Sequence, residues 1–223
     1  MIILGDERFS KYFSDVVVLE KNNDLPSPVC SHPDMNILKI DNTIFLPKNH
    51  YLAPMFTQIG FCVKYIQETL GNAYPFDVKL NAKQVGNLIL MNTKTVSKDV
   101  FAFCKNTGKT IIDVPQGYAA CSCLCINENA FITADKGIYN ALKKAGANPL
   151  LIQEGYIEID TYDYGFIGGA SGFIDGVLYF FGDITAHPDF IKIDEYLKAN
   201  DVKYKWFDTP LCDIGGVLDL QKM

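Results

Sequence analysis

A repeat of forty-odd residues, its last copy divided between the two ends of the sequence, limits the architectures open to this chain. Short apolar runs recur at Ile2-Ile3-Leu4-Gly5, Ile44-Phe45-Leu46-Pro47, Ile89-Leu90-Met91-Asn92, Phe131-Ile132-Thr133-Ala134 and Tyr179-Phe180-Phe181-Gly182. With the fourth residue of each as an anchor, the steps are 42, 45, 42 and 48 residues, and 46 from the last anchor round through the C-terminus to Gly5. A period in this range marks one supersecondary unit used repeatedly.

The stretch from Cys121 to Ile152 displays the whole unit. Cys121-Ser122-Cys123-Leu124-Cys125-Ile126 reads as a strand and Asn127-Glu128-Asn129 as a corner. The apolar run at 130–133 is a second strand, residues 136–145 pattern as a helix stopped by Gly146, and Pro149-Leu150-Leu151-Ile152 is a third strand. The other units repeat this order. Helices are expected over 7–14, 54–70, 97–106 (with Ser97 as N-cap) and 189–200. Third strands are expected at 16–19, 74–78, 110–114 and 204–207, and first strands at 35–40, 80–84 and 169–174. The last of these runs into Asp175-Gly176, a strong hairpin signal. The N-terminus begins inside the fifth unit, whose missing first strand is supplied by Gly215-Gly216-Val217-Leu218-Asp219-Leu220. Pairing the two ends hides an open strand edge. The expectation is an α/β chain: a five-fold pseudosymmetric propeller of strand-strand-helix-strand units, one domain over 1–223. Helices lie outside and first strands line the centre.

If the first strands line an axis, alternate residues point inward. Counted back from the anchors, one parity gathers His32, Asp34, Asn81, Lys83, Cys121, Cys123, Ser171 and Asp213, with Gly169 in register. The opposite parity is blander. Charge narrows the ligands such a centre takes. The formal net charge of −6 provides no basic field for a nucleic-acid backbone. An acidic, aromatic loop of Tyr156, Glu158, Asp160, Tyr162, Asp163 and Tyr164 suits a cation. The glycine-rich run from Gly165 to Gly172 leads into no helix, so it reads as backbone in close approach rather than a dinucleotide fingerprint. Cysteine and histidine suit zinc, yet alternate residues on a flat strand diverge too far to chelate it, so no metal and no cofactor are expected. In His187-Pro188-Asp189, Asp189 reads as a helix N-cap.

No apolar run approaches the roughly 18 residues that span a bilayer. The opening Met1-Ile2-Ile3-Leu4-Gly5-Asp6-Glu7 lacks the basic region of a signal peptide. Seven cysteines, an odd number, read as reduced thiols in a cytoplasmic protein.

Five strand-strand-helix-strand units closed by the two termini resemble the pentein propeller. That is the fold of the guanidino-group-modifying enzymes: arginine and agmatine deiminases, dimethylarginine hydrolases and amidinotransferases. A non-catalytic ribosome anti-association factor shares it. The resemblance implies a thiolate that attacks a guanidinium carbon, a His-x-Asp pair, and carboxylates that grip the guanidinium nitrogens. Here it implies Cys121 or Cys123 as nucleophile, His32 with Asp34 as the His-x-Asp pair, and Asp213, Asn81, Ser171 and Gly169 around a small cationic, guanidino-like ligand. The sequence departs from the enzymes in two respects. Their nucleophile sits in the C-terminal strand, where this chain has no cysteine, and their histidine belongs to the third unit, where this chain has Cys121-Ser122-Cys123. Two readings follow: a hydrolase or transferase acting on a small guanidino or amide compound, or a binding protein that keeps the fold without the chemistry.

Overall fold

The computed structural model describes residues 3–11, 13 and 16–220. Along the chain β1 (Ile3–Gly5) is followed by a 3-10 turn over Glu7–Lys11 and β2 (Val16–Val18). The next unit holds the helical turn α1 (Pro33–Asn36), β3 (Leu38–Ile40), β4 (Thr43–Leu46), α2 (Ala53–Gln58) and β5 (Cys62–Tyr65). Then come β6 (Lys83–Val85), β7 (Leu88–Met91), α3 (Lys98–Lys105) and β8 (Thr110–Asp113). The fourth group is β9 (Cys123–Cys125), β10 (Phe131–Thr133), α4 (Lys136–Lys144) and β11 (Leu150–Leu151). The last comprises β12 (Ser171–Ile174), β13 (Val177–Phe180), α5 (Phe190–Ala199) and β14 (Tyr204–Trp206), before β15 (Leu218–Asp219).

These strands form five three-stranded sheets among the described residues, each with the same plan. The second strand is central, antiparallel to the first and parallel to the third. In one sheet Leu38 faces Phe45 and Ile44 faces Val63; in the next Lys83 faces Leu90 and Ile89 faces Ile111. A hairpin suffices for the antiparallel pair, whereas the parallel pair needs a crossover, which the helix provides. The central strands are the apolar runs of the sequence, flanked on both sides, and Ile44, Ile89, Ile132 and Phe180 are fully buried. The seam is real: β15 pairs antiparallel with β1, Ile3 opposite Asp219, so one end of the chain completes the sheet begun by the other.

Local signals set the boundaries. Ser97 Oγ accepts from Asp99 N at the start of α3, and Asp135 Oδ1 accepts from Ile138 N at the start of α4, each cap contributing about 1 kcal/mol. Gly146, at φ +88°, follows the end of α4 in the left-handed region. Asp175 and Gly176, both at positive φ, form the tight turn between β12 and β13.

The second unit departs from the expected layout. Helix α2 ends at Gln58 rather than running to residue 70, with Gly60 at φ +90° just beyond it. Cys62–Tyr65, expected as helix, is the third strand, because pairing beside Thr43–Leu46 outweighs helical patterning. Residues 74–78, expected as that strand, are turn, and Pro75 has no N–H to offer a ladder. The first helix is a 3-10 turn; the expected helical residues Tyr12 and Ser14, and Ile2 of the first apolar run, lie outside the described residues. No helix among the described residues is long and apolar enough to cross a membrane.

The first strands are shorter than expected, and this governs the site. Before three of them the backbone makes one helical turn: Ile37 N donates to Pro33 O, Ser122 N to Tyr118 O and Ala170 N to Phe166 O, each at 2.9 Å. His32, Asp34, Asn81, Cys121, Gly169 and Asp213 therefore lie ahead of the strands, where residues two apart do not share a face.

Candidate functional site

Two cavities open among these segments. One, of about 280 Å³, is lined by His32, Met35, Tyr118, Cys121, Phe166 and Asp213, with the loop of Tyr162, Asp163 and Tyr164. The other, of about 340 Å³, is lined by Asp34, Lys39, Lys83, Cys123, Cys125 and Ser171, among others. The residues of the inward parity are thus divided. The helical turns send His32 and Cys121 to the first cavity and Asp34 and Cys123 to the second.

His32 is 1% exposed, and its Nε2 has no protein partner. It does not pair with Asp34. Its Nδ1 lies 3.8 Å from Asp213 Oδ1, an ion-pair separation too long for a hydrogen bond. Burial lowers its pKa to about 4, so the imidazole is neutral at pH 7. The Gly215 backbone, at φ +76°, passes so close that a Cβ there would come within 2.3 Å of His32 Cβ.

Asp213 is held from both sides. Oδ1 accepts from Gly215 N at 3.0 Å and Oδ2 from Phe166 N at 2.9 Å. Burial above all, and then the charge of Asp34, raise its pKa to about 7 against those hydrogen bonds. Gly169 makes room for it: a Cβ at that position would fall 1.9 Å from Asp213 Oδ1. The glycine-rich run does pack backbone to backbone, since Gly169 N donates to Cys121 O at 3.1 Å. Asp34 has an enclosed Oδ1 without a partner, and burial raises its pKa to about 6, opposed by Cys121 and Lys83.

Asn81 ties the units together. Its Oδ1 accepts from Ala120 N at 2.7 Å, while Nδ2 donates to Asp34 O at 3.2 Å and to Cys121 Sγ at 2.9 Å. Cys121 is 3% exposed. Burial, and then the charges of Asp34 and Asp213, push its thiol well above the ordinary range, and only Asn81 pulls the other way. Cys121 is therefore a protonated thiol at neutral pH when no cation is beside it. Cys123 is also raised, by burial and then by its hydrogen bond to Cys125, and that same bond lowers Cys125. Ser171 Oγ is spent on Ile167 O at 2.6 Å.

All seven cysteines are free, and among the described residues no group of three or more His, Cys, Asp or Glu could hold a metal ion. Asp189 begins α5 without capping it by its side chain, which instead accepts from Gln153 N at 2.7 Å and Lys192 Nζ at 2.6 Å. His187 is satisfied by Gln153 O and Asp189 N, so this second His-Pro-Asp is structural.

Three contributors escape a sequence reading. Tyr118 and Phe166 form a wall of the first cavity, their rings 6.0 Å apart. Buried Asp77 anchors Tyr118, accepting from its hydroxyl at 2.5 Å. All three lie in segments between strands, which carry no periodicity; only the closeness of Tyr118 to Cys121 in sequence is available.

A two-stranded hairpin, a crossover helix and a third parallel strand, used five times, define the pentein fold, and the chain aligns with solved proteins of that superfamily. A dimethylarginine dimethylaminohydrolase, in an adduct with S-methyl-L-thiocitrulline, is 9% identical, with 88% of this chain and 75% of that one covered at a TM-score of 0.57. An amidinotransferase from Microseira wollei is 11% identical, with 93% and 75% covered at 0.57. Agmatine deiminase from C. jejuni is 13% identical, with 92% and 74% covered at 0.55. The chain shares the fold of these proteins. It belongs to the family described as "Family of unknown function (DUF6873)", which it matches over residues 6–218. Among curated proteins no sequence matches it.

Proposed function

We propose that the cavity of His32, Cys121 and Asp213 binds a small guanidinium- or amidinium-type cation, and that Cys121 attacks its central carbon. The observation that carries this reading is the meeting of a thiol, a neutral imidazole and a buried carboxylate on one cavity, with a half-buried second carboxylate, Asp34, acting on the same thiol from outside it. The Asp213 carboxylate in this cavity answers the guanidinium fork. A cation beside Asp213 would also offset negative charge that holds the Cys121 proton in place, so the ligand itself would activate the thiol.

The chemistry then balances as follows. Cys121 Sγ bonds to the guanidinium carbon as its proton passes to His32 Nε2. The tetrahedral adduct expels an amine, which takes the proton from His32. Water, or an acceptor amine, attacks the resulting thiouronium carbon and releases the Cys121 thiol. Hydrolysis yields a ureido product and transfer a new guanidine. The test is incubation with simple alkylguanidines, with peptide mass spectrometry of Cys121 and assay of the released amine. A Cys121 adduct with amine release supports the reading, and binding without either refutes the catalytic step.

The second reading, a binding protein without chemistry, is favoured by the raised Cys121 pKa and by a cavity that no lysine or arginine lines among the described residues. In that case ligands stabilise the chain but leave every thiol unmodified. In both readings we infer that the five units close about one axis into a single domain over 1–223. The β15–β1 pairing and the contacts of β3 with β6 and of β12 with β15 support this. Seven free thiols suit a reducing, cytoplasmic setting.

A further inference from the structure

The cavity around Cys121 is one-sided in charge. Its ionisable carboxylates are Asp213 and Asp163, and among the described residues no lysine or arginine lines it. Arg8, whose charge reaches His32 and Asp213, is committed elsewhere: its Nε lies 2.7 Å from Asp6 Oδ1 and its Nη1 3.3 Å from Cys212 Sγ. More negative groups stand behind the walls. Tyr118 donates to buried Asp77, whose other oxygen has no partner. Tyr164, at the mouth, donates to Glu154 at 3.1 Å. Tyr118, Phe166 and Tyr164 line the same cavity as Asp213 and Cys121, and so does exposed Asp163, so these side chains are available to the tail of a ligand whose cationic head lies at Asp213. Aromatic faces accept alkyl chains and cations. Nothing among them pairs with an anion, and a carboxylate on the tail would face Asp163 unpaired.

We propose that the ligand is a guanidinium or amidinium compound whose tail carries no carboxylate and ends in an alkyl group or an amine, and that Asp163, with Tyr162 and Tyr164, sets this preference. The inference rests on the guanidinium reading of the cavity.

Calorimetric titration of the full chain with three compounds that share one head group tests it: 4-guanidinobutylamine, butylguanidine and L-arginine. The expected result is binding of the first two at least about tenfold tighter than arginine, with 4-guanidinobutylamine the tightest, as opposite charge at the mouth favours it. Arginine binding as tightly as the others overturns the inference about the tail while leaving the guanidinium reading intact. Binding by none of the three overturns both. Asp163→Lys alters only an exposed loop side chain, so folding is not at issue. It should shift the ratio of 4-guanidinobutylamine to arginine affinity about tenfold toward arginine, and an unchanged ratio removes Asp163 as the determinant.

Discussion

Two cavities of similar size share neighbouring residues of the same turns and strands, and they place the same side chain in contrasting fields. Cys121 lies among carboxylates and aromatic rings, bonded to Asn81, and keeps its proton. Cys123 and Cys125, only two and four residues on, are pushed in opposite directions, Cys123 up by burial and Cys125 down by its hydrogen bond with Cys123, with Lys83 on the same cavity. A cysteine's identity says little about its chemistry. The burial around it, its hydrogen bonds and the sign of the nearest charge decide whether its pKa is pushed up or down. The first cavity is lined by carboxylates without a lysine or arginine among the described residues, and the second is lined by Lys39 and Lys83 as well as Asp34.

The sharpest way to break this contrast is Cys121→Ser. Loss of the thiol should abolish covalent capture of a guanidinium compound, a drop of more than about 100-fold, while Cys123→Ser leaves capture near normal. Equal losses would mean that the two cavities are not functionally distinct. Next in size is Asn81→Ala, which unties Asp34, Ala120 and Cys121 together. It should cost about 2–4 kcal/mol by denaturant titration, since buried partners are left unsatisfied.

Asp213→Asn tests the electrostatics. In the folded chain Asp213 holds its proton up to about pH 7, but once unfolded it ionises near 3.8. The folded state therefore binds the extra proton between those values, and the stability this group contributes falls as pH rises through the window. His32, lowered to about 4, has the opposite sign: its contribution is lost as pH falls from 6.5 toward 4. The difference between wild type and Asp213→Asn cancels the histidine. The substitution, which also sacrifices one of two backbone hydrogen bonds, should cost several degrees of Tm at pH 5 and distinctly less at pH 8. A pH-independent gap would contradict the raised pKa. The smallest effect is expected for Lys83→Met, which should reduce the alkylation rate of Cys125 a few-fold near neutral pH and leave Cys121 unchanged.

The repeat was legible because its signals are local: an apolar central strand, a corner such as Asp175-Gly176, a capped helix such as 97–106, and a third strand. The seam was legible because Gly215 to Leu220 completes what Leu4 begins. The second unit was misread where Cys62–Tyr65 has helical spacing but gains more by pairing with β4. The site was half legible. Of the residues named from the sequence, His32, Cys121 and Asp213 line one cavity, Asp34, Lys83, Cys123 and Ser171 line another, and Asn81 and Gly169 line neither, though Gly169 does meet Asp213. Their division is hidden from the sequence, because strand parity does not hold through positions that form a helical turn, and the His-x-Asp resemblance pairs His32 with Asp34 where the structure puts Asp213 nearest. Asp77 gave no signal, since its role depends on a tyrosine 41 residues away.

The most direct measurement compares two electrophiles of nearly the same shape, a cationic chloroacetamidine and its neutral counterpart chloroacetamide, with site-resolved labelling of all seven cysteines at pH 7. If the Cys121 cavity is a cation site, chloroacetamidine should label Cys121 at least about tenfold faster than chloroacetamide does. Cys125, beside Lys83, should show no such preference. Equal rates at Cys121, or a preference for the cationic reagent that appears at Cys125 instead, would contradict the account.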